Sequence, residues 1–324
     1  MGPLSPFDGT PNSIPMSFPT VAVVVPVYNG AADLPGLLAG LKRQRYPQER
    51  LEVWLVDNGS CDRTPTILQA VAQSHPQFHW LRYDAIQSSY AARNAGICAS
   101  QSQIIAFTDV DCRPAPHWLG TLVQPFENSR VGIVAGEIKA LASTTWLERY
   151  AERQQTLSQR HTLNHPFYPY GQTANLAIRA TIFEQVGLFR PHLTSGGDAD
   201  LCWRILQATP WQLTFVEEAT IEHRHRRRLG DLHRQWYRYG CSNRYLHQLH
   251  GVELMRNLTL AETRYRLGRW LLKEIPQLLG RQLKGYPAGI DWLVTPLDLI
   301  CYRARTLGQE QAQLPPEADF IPPR

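Results

Sequence analysis

The sequence predicts an α/β protein built on a mostly parallel sheet. Apolar, β-branched runs at Val21–Val25 and Leu51–Val56 are typical of strands that are covered on both faces. Between them, leucines recur at helical spacing from residue 34 to residue 41, which completes a β-α-β unit. Strands and helices continue to alternate beyond this unit, and alternation of this kind favours parallel strands.

The other elements are predicted from the same apolar patterns. In order, we expect a helix over 64–74, a strand over 78–82, a helix over 89–100, and strands over 104–107 and 131–135, then a helix over 147–159, a strand over 175–179, a helix over 198–206 and a strand over 213–216. A final amphipathic helix over 258–283 carries apolar residues on one face and Arg and Lys roughly opposite. Pro276 should kink it.

Length and composition indicate a globular chain with two extra segments. The 324 residues are 43% apolar and 19% charged, which excludes wholesale disorder, collagen and a coiled coil. Prolines crowd both ends, so disordered tails are expected over 1–19 and 311–324. The α/β domain would cover 20–230, and a basic, amphipathic helical extension would cover 231–310.

The location is predicted to be cytoplasmic. The N-terminus lacks a basic segment followed by an apolar run, so no secretory signal is expected, and no apolar stretch is long enough to cross a bilayer. Six cysteines show no metal-ligand spacing and are interpreted as free thiols in a reducing compartment.

Four polar clusters follow predicted strands or begin a helix. In open α/β sheets the ligand crevice lies at the carboxyl ends of the strands, so these clusters are candidates for a site. Ordinary turn chemistry, a solvated loop and helix capping are the structural alternatives. The clusters are Pro26–Asn29, Asp57–Asp62, Asp109–Asp111 and Ser195–Arg204.

Two of these clusters have a specific chemical interpretation. An extended chain would turn Asp109 and Asp111 to one face, where two carboxylates repel each other unless a cation lies between them. Mg²⁺ or Mn²⁺ is the expected cation because both prefer oxygen ligands. Asp198 stands at the start of a predicted helix, and Asp200 can pair with Arg204 across one turn.

In their order, these clusters resemble the family 2 inverting glycosyltransferases of the GT-A fold. That family has P-x-Y-N after its first strand, D-x-G-S after the second, then D-x-D, and later E-D-x-D-L-x-x-R. The tripeptide Ala92–Asn94, with the sequence Ala-Arg-Asn, matches the family as well. The chain departs from the pattern at Gly197, which stands where the family usually has Glu.

The resemblance implies a role for each matched position. The general base would be Asp198, and the divalent cation would be bound by Asp111 and His223, with His225 as the alternative to His223. The nucleotide-sugar donor would be bound by Pro26, Tyr28, Asn29, Asp57, Arg93 and Asp109. The acceptor would be bound, or the site supported, by Asp200, Arg204, Gln235 and Arg238.

The region 223–305 is strongly basic, with 16 Lys and Arg against 6 Asp and Glu. Nucleic-acid binding is disfavoured because no matching motif accompanies the charge. A solvated helix face and an amphipathic helix lying on an anionic bilayer both remain open, and the second is preferred. The protein would then be peripheral at the inner face of the cell membrane.

The resulting hypothesis is an inverting, metal-dependent hexosyltransferase. It would move a sugar from a nucleotide sugar, with UDP the family's commonest nucleotide, to a glycan or lipid-linked acceptor in cell-surface polysaccharide or glycolipid synthesis. The alternative is a catalytically silent nucleotide-sugar-binding module that acts as an assembly partner on the membrane surface.

Overall fold

The computed structural model describes residues 18–285 and 289–324, so residues 1–17 of the predicted N-terminal tail lie outside the described residues. These ranges contain one eight-stranded sheet with helices on both faces. The strands are β1 (Val21–Val27), β2 (Leu51–Asp57), β3 (Phe78–Arg82), β4 (Ile104–Thr108), β5 (Cys112–Pro114), β6 (Val131–Ala140), β7 (Asn175–Arg179) and β8 (Gln212–His223).

The sheet has the strand order β3-β2-β1-β4-β7-β6-β8-β5. The first half, from β3 to β4, is entirely parallel, as predicted. In the second half, β7 runs antiparallel to both of its neighbours and β5 runs antiparallel to β8, whereas β6 and β8 are parallel. A parallel half therefore meets a mixed half at the β4–β7 junction.

Twelve α-helices are assigned within the described ranges. They are α1 (Leu34–Lys42), α2 (Thr64–Ser74), α3 (Ser89–Ala99), α4 (Trp118–Val123), α5 (Trp146–Arg153), α6 (Gln159–Leu163), α7 (Ile182–Val186), α8 (Gly197–Ala208), α9 (Leu229–His250), α10 (Leu260–Arg269), α11 (Ile275–Leu283) and α12 (Val294–Gln311).

Strand β1 is apolar throughout because each of its faces packs into a different core. Val21, Val23 and Val25 belong to the cluster that contains the leucines of α1. Ala22 and Val24 belong to the second cluster, with residues of α3 and α8. Alternate side chains of a strand point to opposite faces, so a strand covered on both sides loses the polar alternation of a surface strand.

The helix predicted over 147–159 is broken in the structure into α5 and α6. Gln155 and Leu157, between the two helices, have positive φ angles of 49° and 76°. Continuous right-handed helix is impossible at such angles. The break allows Ser158 to cap α6 and allows the backbone N–H of Gln159 to donate to Glu137 Oε1.

The helix predicted over 258–283 changes its hydrogen-bonding pattern close to Pro276, where a kink was predicted. Helix α10 leads into one π-helical turn at Trp270–Glu274, and α11 follows. Proline lacks a backbone N–H and its ring crowds the carbonyl of the preceding turn, so regular helical hydrogen bonding cannot pass through it.

The C-terminal segment does not match the disordered tail predicted over 311–324. Helix α12 ends at Gln311, and the following residues lie on the α/β domain with Ala318 buried. Leu188 donates its N–H to the Pro322 carbonyl at 2.9 Å, and the Arg324 guanidinium donates to the carbonyls of Ala180 and Ser100. The prediction of disorder relied on the proline content of this segment. Prolines prevent a helix or strand here, but tertiary hydrogen bonds can still hold an extended segment in place.

The helical extension is joined to the domain through α9 and α12, which pack closely on each other. Added Cβ atoms at Gly240 and Gly308 would collide with the backbone of the opposite helix, so both positions require glycine. Among the helices within 18–285 and 289–324, none has the length and apolar content that a bilayer crossing demands.

Candidate active site

The polar segments that follow β1 and β2 lie side by side at the carboxyl end of the sheet. The last residues of the two strands, Val27 and Asp57, are paired in register. The Asn29 backbone N–H donates to Ser60 Oγ at 2.8 Å, and the Cys61 N–H donates to Asn29 Oδ1 at 2.9 Å. The two sequence clusters are therefore one structural unit.

Asp57 ends β2 inside this unit and keeps one oxygen unpaired. Its Oδ1 accepts the Ser60 N–H at 3.0 Å, whereas the buried Oδ2 has no hydrogen-bond partner among the described residues. Arg82 Nη1 approaches this oxygen only to 3.9 Å. Tyr28, 52% exposed, follows Val27, the residue of β1 that is paired with Asp57, and Pro26 before it is half-buried. A buried carboxylate oxygen without a partner is costly unless a ligand donates to it.

Arg93 and Asp109 come together as a buried ion pair. Arg93 lies on α3, and its Nη2 donates to Asp109 Oδ1 at 2.6 Å. The Arg93 side chain is almost fully buried, while the Asp109 side chain is partly exposed to the pocket. The Nε of Arg93 has no partner within the described residues. This guanidinium thus keeps a free donor close to a carboxylate.

Asp198 lies near the start of α8 but does not cap that helix. Gly196 is the N-cap residue, and no side-chain capping bond is present. Instead, the Thr173 backbone N–H donates to Asp198 Oδ2 at 3.2 Å and the Thr173 hydroxyl donates to Oδ1 at 3.0 Å. Burial raises the pKa of Asp198 above its usual value, although the positive charge of Arg93 opposes the shift. A carboxylate of raised pKa in a pocket fits general-base chemistry.

Asp111 and His223 meet where β8 ends beside the loop after β4. His223 Nε2 lies 3.2 Å from Asp111 Oδ1, and Arg226 Nη1 lies 3.7 Å from Oδ2. Burial opposes ionisation of Asp111, but His223 and Arg226 outweigh it and lower the carboxyl pKa. Burial alone would lower the pKa of His223, and the Asp111 charge reverses this and raises it.

These two side chains offer the donor set of a divalent cation site. Asp111, Cys112 and His223 place one potential ligand atom each within 4.8 Å of one another. Burial raises the pKa of the Cys112 thiol well above its usual value, so it stays protonated and is a poor ligand for a hard cation. The remaining carboxylate oxygen and imidazole nitrogen suit Mn²⁺ or Mg²⁺.

His225 differs from His223 in its surroundings. The two rings are 5.7 Å apart, but His225 is not part of the closely spaced ligand group in the described chain. Burial, followed by the charge of His223, lowers the pKa of His225 to about 4. Of the two histidines considered as ligands, only His223 contacts Asp111.

One cavity of about 190 Å³ connects most of these groups. It brings together six of the residues singled out in the sequence, namely Arg93, Asp109, Asp198, His223, Gln235 and Arg238. Asp57, Tyr28 and Asn29 do not line it, because they lie in the neighbouring loop unit. Asp111 does not line it either, but it contacts His223, which does.

Asp200 and Arg204 lie outside the cavity and have a supporting position. Asp200 is fully buried and accepts from Arg204 Nε and Arg190 Nε, both at 3.0 Å, the first of these being the predicted pair across one turn. His250 Nε2, at the end of α9, also lies 3.0 Å from Asp200 Oδ1. This cluster connects the helix that carries Asp198 to the helical extension.

Tyr90, Thr173 and Tyr239 also line the cavity, although none of them was among the site residues predicted from the sequence. Tyr239 stands beside Arg238 on α9, and Tyr90 stands two residues before the first residue of the Ala-Arg-Asn tripeptide. Neither Tyr90 nor Thr173 belongs to a recognisable motif. Their importance depends on a contact with α8, which no local pattern reveals.

A larger cavity, of about 520 Å³, lies elsewhere on the domain. It is lined by Pro19, just before β1, by Ile104 at the start of β4, and by Arg179 at the end of the antiparallel β7. These positions are at the amino ends of the parallel strands. Because this cavity contains no group of convergent carboxylates, the smaller cavity is the better candidate for catalysis.

Comparison with known proteins identifies the family. The model of the family described as Glycosyl transferase family 2 matches residues 22–187, just over half of the chain. The glycosyltransferase AglE of Haloferax volcanii is 33% identical over 252 residues, which cover 76% of this chain and 80% of the relative. The chain belongs to glycosyl transferase family 2. A pre-mycofactocin glycosyltransferase of Mycobacterium tuberculosis is 32% identical over 216 residues. The match covers 65% of the present chain and 44% of that relative.

Solved structures confirm the GT-A fold of the glycosyltransferase. The mannosyltransferase PcManGT of Pyrobaculum calidifontis, solved with GDP-Man and Mn²⁺, has a TM-score of 0.63 at 19% identity, covering 95% of this chain and 91% of that chain. TarS 1-349 of S. aureus, solved with UDP-GlcNAc, has a TM-score of 0.51 at 16% identity and covers 90% of each chain. At these identities the likeness concerns the fold alone.

Proposed function

We propose that this family 2 glycosyltransferase is an inverting, metal-dependent hexosyltransferase that uses a nucleotide sugar. The single observation that carries the proposal is the convergence of Arg93, Asp109, Asp198 and His223, from four separate parts of the chain, on one cavity. The acceptor is a glycan or a lipid-linked saccharide used in cell-surface polysaccharide or glycolipid synthesis.

The donor is bound along the carboxyl ends of β1, β2 and β4. The unpaired Asp57 Oδ2 accepts a hydrogen bond from the nucleotide base, and Tyr28 stacks against the base from the exposed rim. Pro26 and Asn29 shape the loop that carries Tyr28. Asp109 accepts a hydrogen bond from a ribose hydroxyl. The Nε of Arg93, which has no partner in the described protein, donates a hydrogen bond to the diphosphate. UDP is the favoured nucleotide, although neighbours of the same fold were solved with GDP-Man and with UDP-GlcNAc.

Asp111 and His223 would hold a divalent cation. The buried His223 Nδ1 has no hydrogen-bond partner in the described part of the chain, whereas Nε2 faces Asp111 Oδ1 at 3.2 Å. The imidazole and the carboxylate thus lie close enough to bind one ion together. When bound, the cation supplies positive charge that stabilises the departing diphosphate. Arg93 adds a second positive charge on the same side.

Asp198 acts on the acceptor. Its carboxylate is held by Thr173 through both oxygens, so its direction in the cavity is defined. It takes the proton from the acceptor hydroxyl as that oxygen attacks the anomeric carbon from the face opposite the diphosphate, which inverts the centre. A well-placed general base contributes about 10² to 10⁴ in rate. Gln235 and Arg238 line the same cavity on α9 and contact the acceptor.

The helical extension places the enzyme on the inner face of the cell membrane. Leu271, Leu272, Leu279 and Leu283 are exposed on α11 and the π-helical turn before it. Arg and Lys residues of α10 and α11 surround these leucines in sequence, which matches an anionic bilayer surface. A beta-monoglucosyldiacylglycerol synthase, which is named for a lipid, is among the relatives over 36% of this chain.

A catalytically silent nucleotide-sugar-binding module is the second candidate. It is favoured by Gly197, which replaces the Glu that the family motif usually carries before the base. Asp198→Asn separates the two functions. An enzyme loses turnover and keeps donor binding, whereas a silent module is unchanged.

The direct test is a thermal-shift screen with UDP-, GDP- and dTDP-sugars, each with and without Mn²⁺. A ligand that binds only the folded state raises the melting temperature. Donor hydrolysis and sugar transfer are then measured for the wild type and Asp198→Asn with the nucleotide sugar that binds best. If no nucleotide sugar shifts the melting temperature or is consumed, the proposed function is wrong.

A further inference from the structure

The two glycines that begin α8 are required for different reasons. Gly196 has a φ of +81°, in the left-handed region that favours glycine. Gly197 has no positive φ, so backbone conformation does not explain it. A Cβ added at Gly197 would lie 2.7 to 2.8 Å from three ring atoms of Tyr90, closer than real Cβ contacts. Gly197 therefore makes room for the ring of Tyr90.

The ring of Tyr90 packs against two further side chains besides the start of α8. It stacks on Phe189, with ring centroids 5.5 Å apart and planes 21° apart. The Arg93 guanidinium carbon lies 5.6 Å from the ring centroid. Tyr90 is buried, and it lines the cavity with Arg93 and Asp198. An aromatic ring fixed in this way cannot move aside cheaply in a close-packed interior.

The surroundings of Asp198 give this contact a chemical consequence. Burial raises the pKa of Tyr90 first, and the negative charge of Asp198 raises it further, so the phenol stays neutral. Burial is also the main reason that the pKa of Asp198 is raised. The other charged or titratable groups that act on Asp198 or respond to it are Arg93, Asp109, Tyr170, Cys202 and Tyr239.

We propose that Tyr90 is a positioning residue for Asp198. Its ring packs on the start of α8 at Gly197, excludes water from that side of the carboxylate, and fixes where the first turn of the helix lies. Gly197 and Tyr90 form one unit, in which the ring occupies the space beside the base that a side chain at position 197 would need. The inference rests on the proposed function, in which Asp198 is the general base.

The first experiment measures kcat and KM against pH for donor hydrolysis. The probe is whichever of UDP-GlcNAc, UDP-glucose and GDP-mannose binds best in the presence of Mn²⁺. Tyr90→Ala removes the ring that fixes the first turn of α8, so Asp198 is misplaced and kcat should fall about tenfold or more. The same change admits water beside the carboxylate, which favours its ionised form. The acid limb of the profile should move to lower pH, with KM changed much less than kcat. Tyr90→Phe keeps the ring and should retain most of the rate that Tyr90→Ala loses, with an acid limb close to that of the wild type.

The second experiment tests whether positions 90 and 197 act as one unit. Gly197→Ala should lower kcat in the wild-type background, because the new methyl group meets the ring. In the Tyr90→Ala background the same change should cost less than about twofold, since non-additivity of this kind marks residues in contact. Gly268→Ala is the matched control, because Gly268 also lies in a helix but has no heavy atom within 4 Å of the added Cβ.

The outcomes separate this inference from the proposed function. If Asp198→Asn hydrolyses the donor as fast as the wild type, the role of Asp198 as base is wrong. If Asp198→Asn is inactive and Tyr90→Ala retains the wild-type kcat and acid limb, only the role of Tyr90 is overturned. The same holds if Tyr90→Phe loses as much activity as Tyr90→Ala, or if the effects of the two positions are additive.

Discussion

Thr173 holds both carboxylate oxygens of Asp198, one through its backbone N–H at 3.2 Å and the other through its hydroxyl at 3.0 Å. Thr173 precedes β7, while Asp198 lies in the first turn of α8, so the contact joins two elements that are distant in sequence. The hydroxyl bond favours the ionised carboxylate and lowers its pKa, against the effect of burial.

Thr173→Val should therefore weaken the enzyme and move its pH profile upward. Without the hydroxyl bond the pKa of Asp198 rises further, and because the base works only when ionised, activity is lost at a higher pH as the solution is acidified. We expect kcat at neutral pH to fall by about tenfold through loss of orientation. Thr173→Ser keeps the hydroxyl and should restore both properties. A profile that is unchanged in Thr173→Val would exclude this role.

Asp200 should be essential for stability but should not touch the reactants. Asp200→Asn leaves Arg190 and Arg204 without their buried partner, and the expected loss is about 3–5 kcal/mol in the free energy of unfolding. The matched control is Asp231→Asn, which removes an exposed pair with Arg234 and should cost less than about 1 kcal/mol. Both are measured by urea denaturation.

The Asp200 cluster also predicts a dependence of stability on pH. Burial opposes ionisation of Asp200, but His250, Arg204 and Arg190 outweigh it and lower the pKa. A lowered carboxyl pKa gives stability that is present above the unfolded value of about 3.9 and is lost as the pH falls through the folded value. The difference in unfolding free energy between wild type and Asp200→Asn should narrow below about pH 4. A difference that stays constant there would contradict the assignment.

Removal of a cation ligand should abolish stabilisation by Mn²⁺ alone. Mn²⁺ at about 100 times its dissociation constant is expected to add about 2.7 kcal/mol to the stability of the wild type. Asp111→Asn and His223→Ala should lose most of this gain in a thermal-shift titration. Asp84→Asn, at an exposed carboxylate that pairs with Arg82, is the control and should retain it. Equal shifts in all variants would place the cation elsewhere.

The exposed leucines of the extension should bind membranes. Leu272 and Leu283 are 83% and 89% exposed. Burying one leucine contributes about 1.5–3 kcal/mol, so the double change to Glu should weaken binding to phosphatidylserine-containing vesicles by about a hundredfold or more in a sedimentation assay. Phe320→Glu, at a residue 54% exposed outside the extension, is the control. Donor hydrolysis in solution should be equal in all three proteins, and vesicle binding that survives the double change would refute this surface.

The sequence predicted those features that depend on local periodicity or on motifs. Helix α2 and strands β3 and β7 have the predicted bounds, because each is a regular apolar pattern between clear turns. Strand β8 runs to His223, well past the predicted end at Val216, since Glu217 and Glu218 interrupt its apolar pattern. The antiparallel direction of β7 could not be predicted, because the direction of a strand depends on how the chain returns to the sheet and not on the local sequence pattern.

The candidate site was predicted only in part for the same reason. Asp109, Asp111 and Asp198 could be singled out because they belong to motifs whose order is informative, and the structure brings Asp109 and Asp198 to one cavity. Thr173 and Tyr90 were missed because their roles depend on contacts with α8 across the fold. The bend at Gln155 was missed because nothing in its neighbours indicates a positive φ.

Helix α9 limits where the chain can be shortened without loss of the candidate site. It carries Gln235 and Arg238 on the cavity, and its last residue, His250, contacts Asp200. A shortened chain that stops at residue 230 would lack α9 and, with it, two of the side chains that line the cavity. We therefore expect such a chain to be inactive. Conversely, a chimaera that exchanges α9 between homologues would be expected to exchange acceptor preference while the donor half stays as it was.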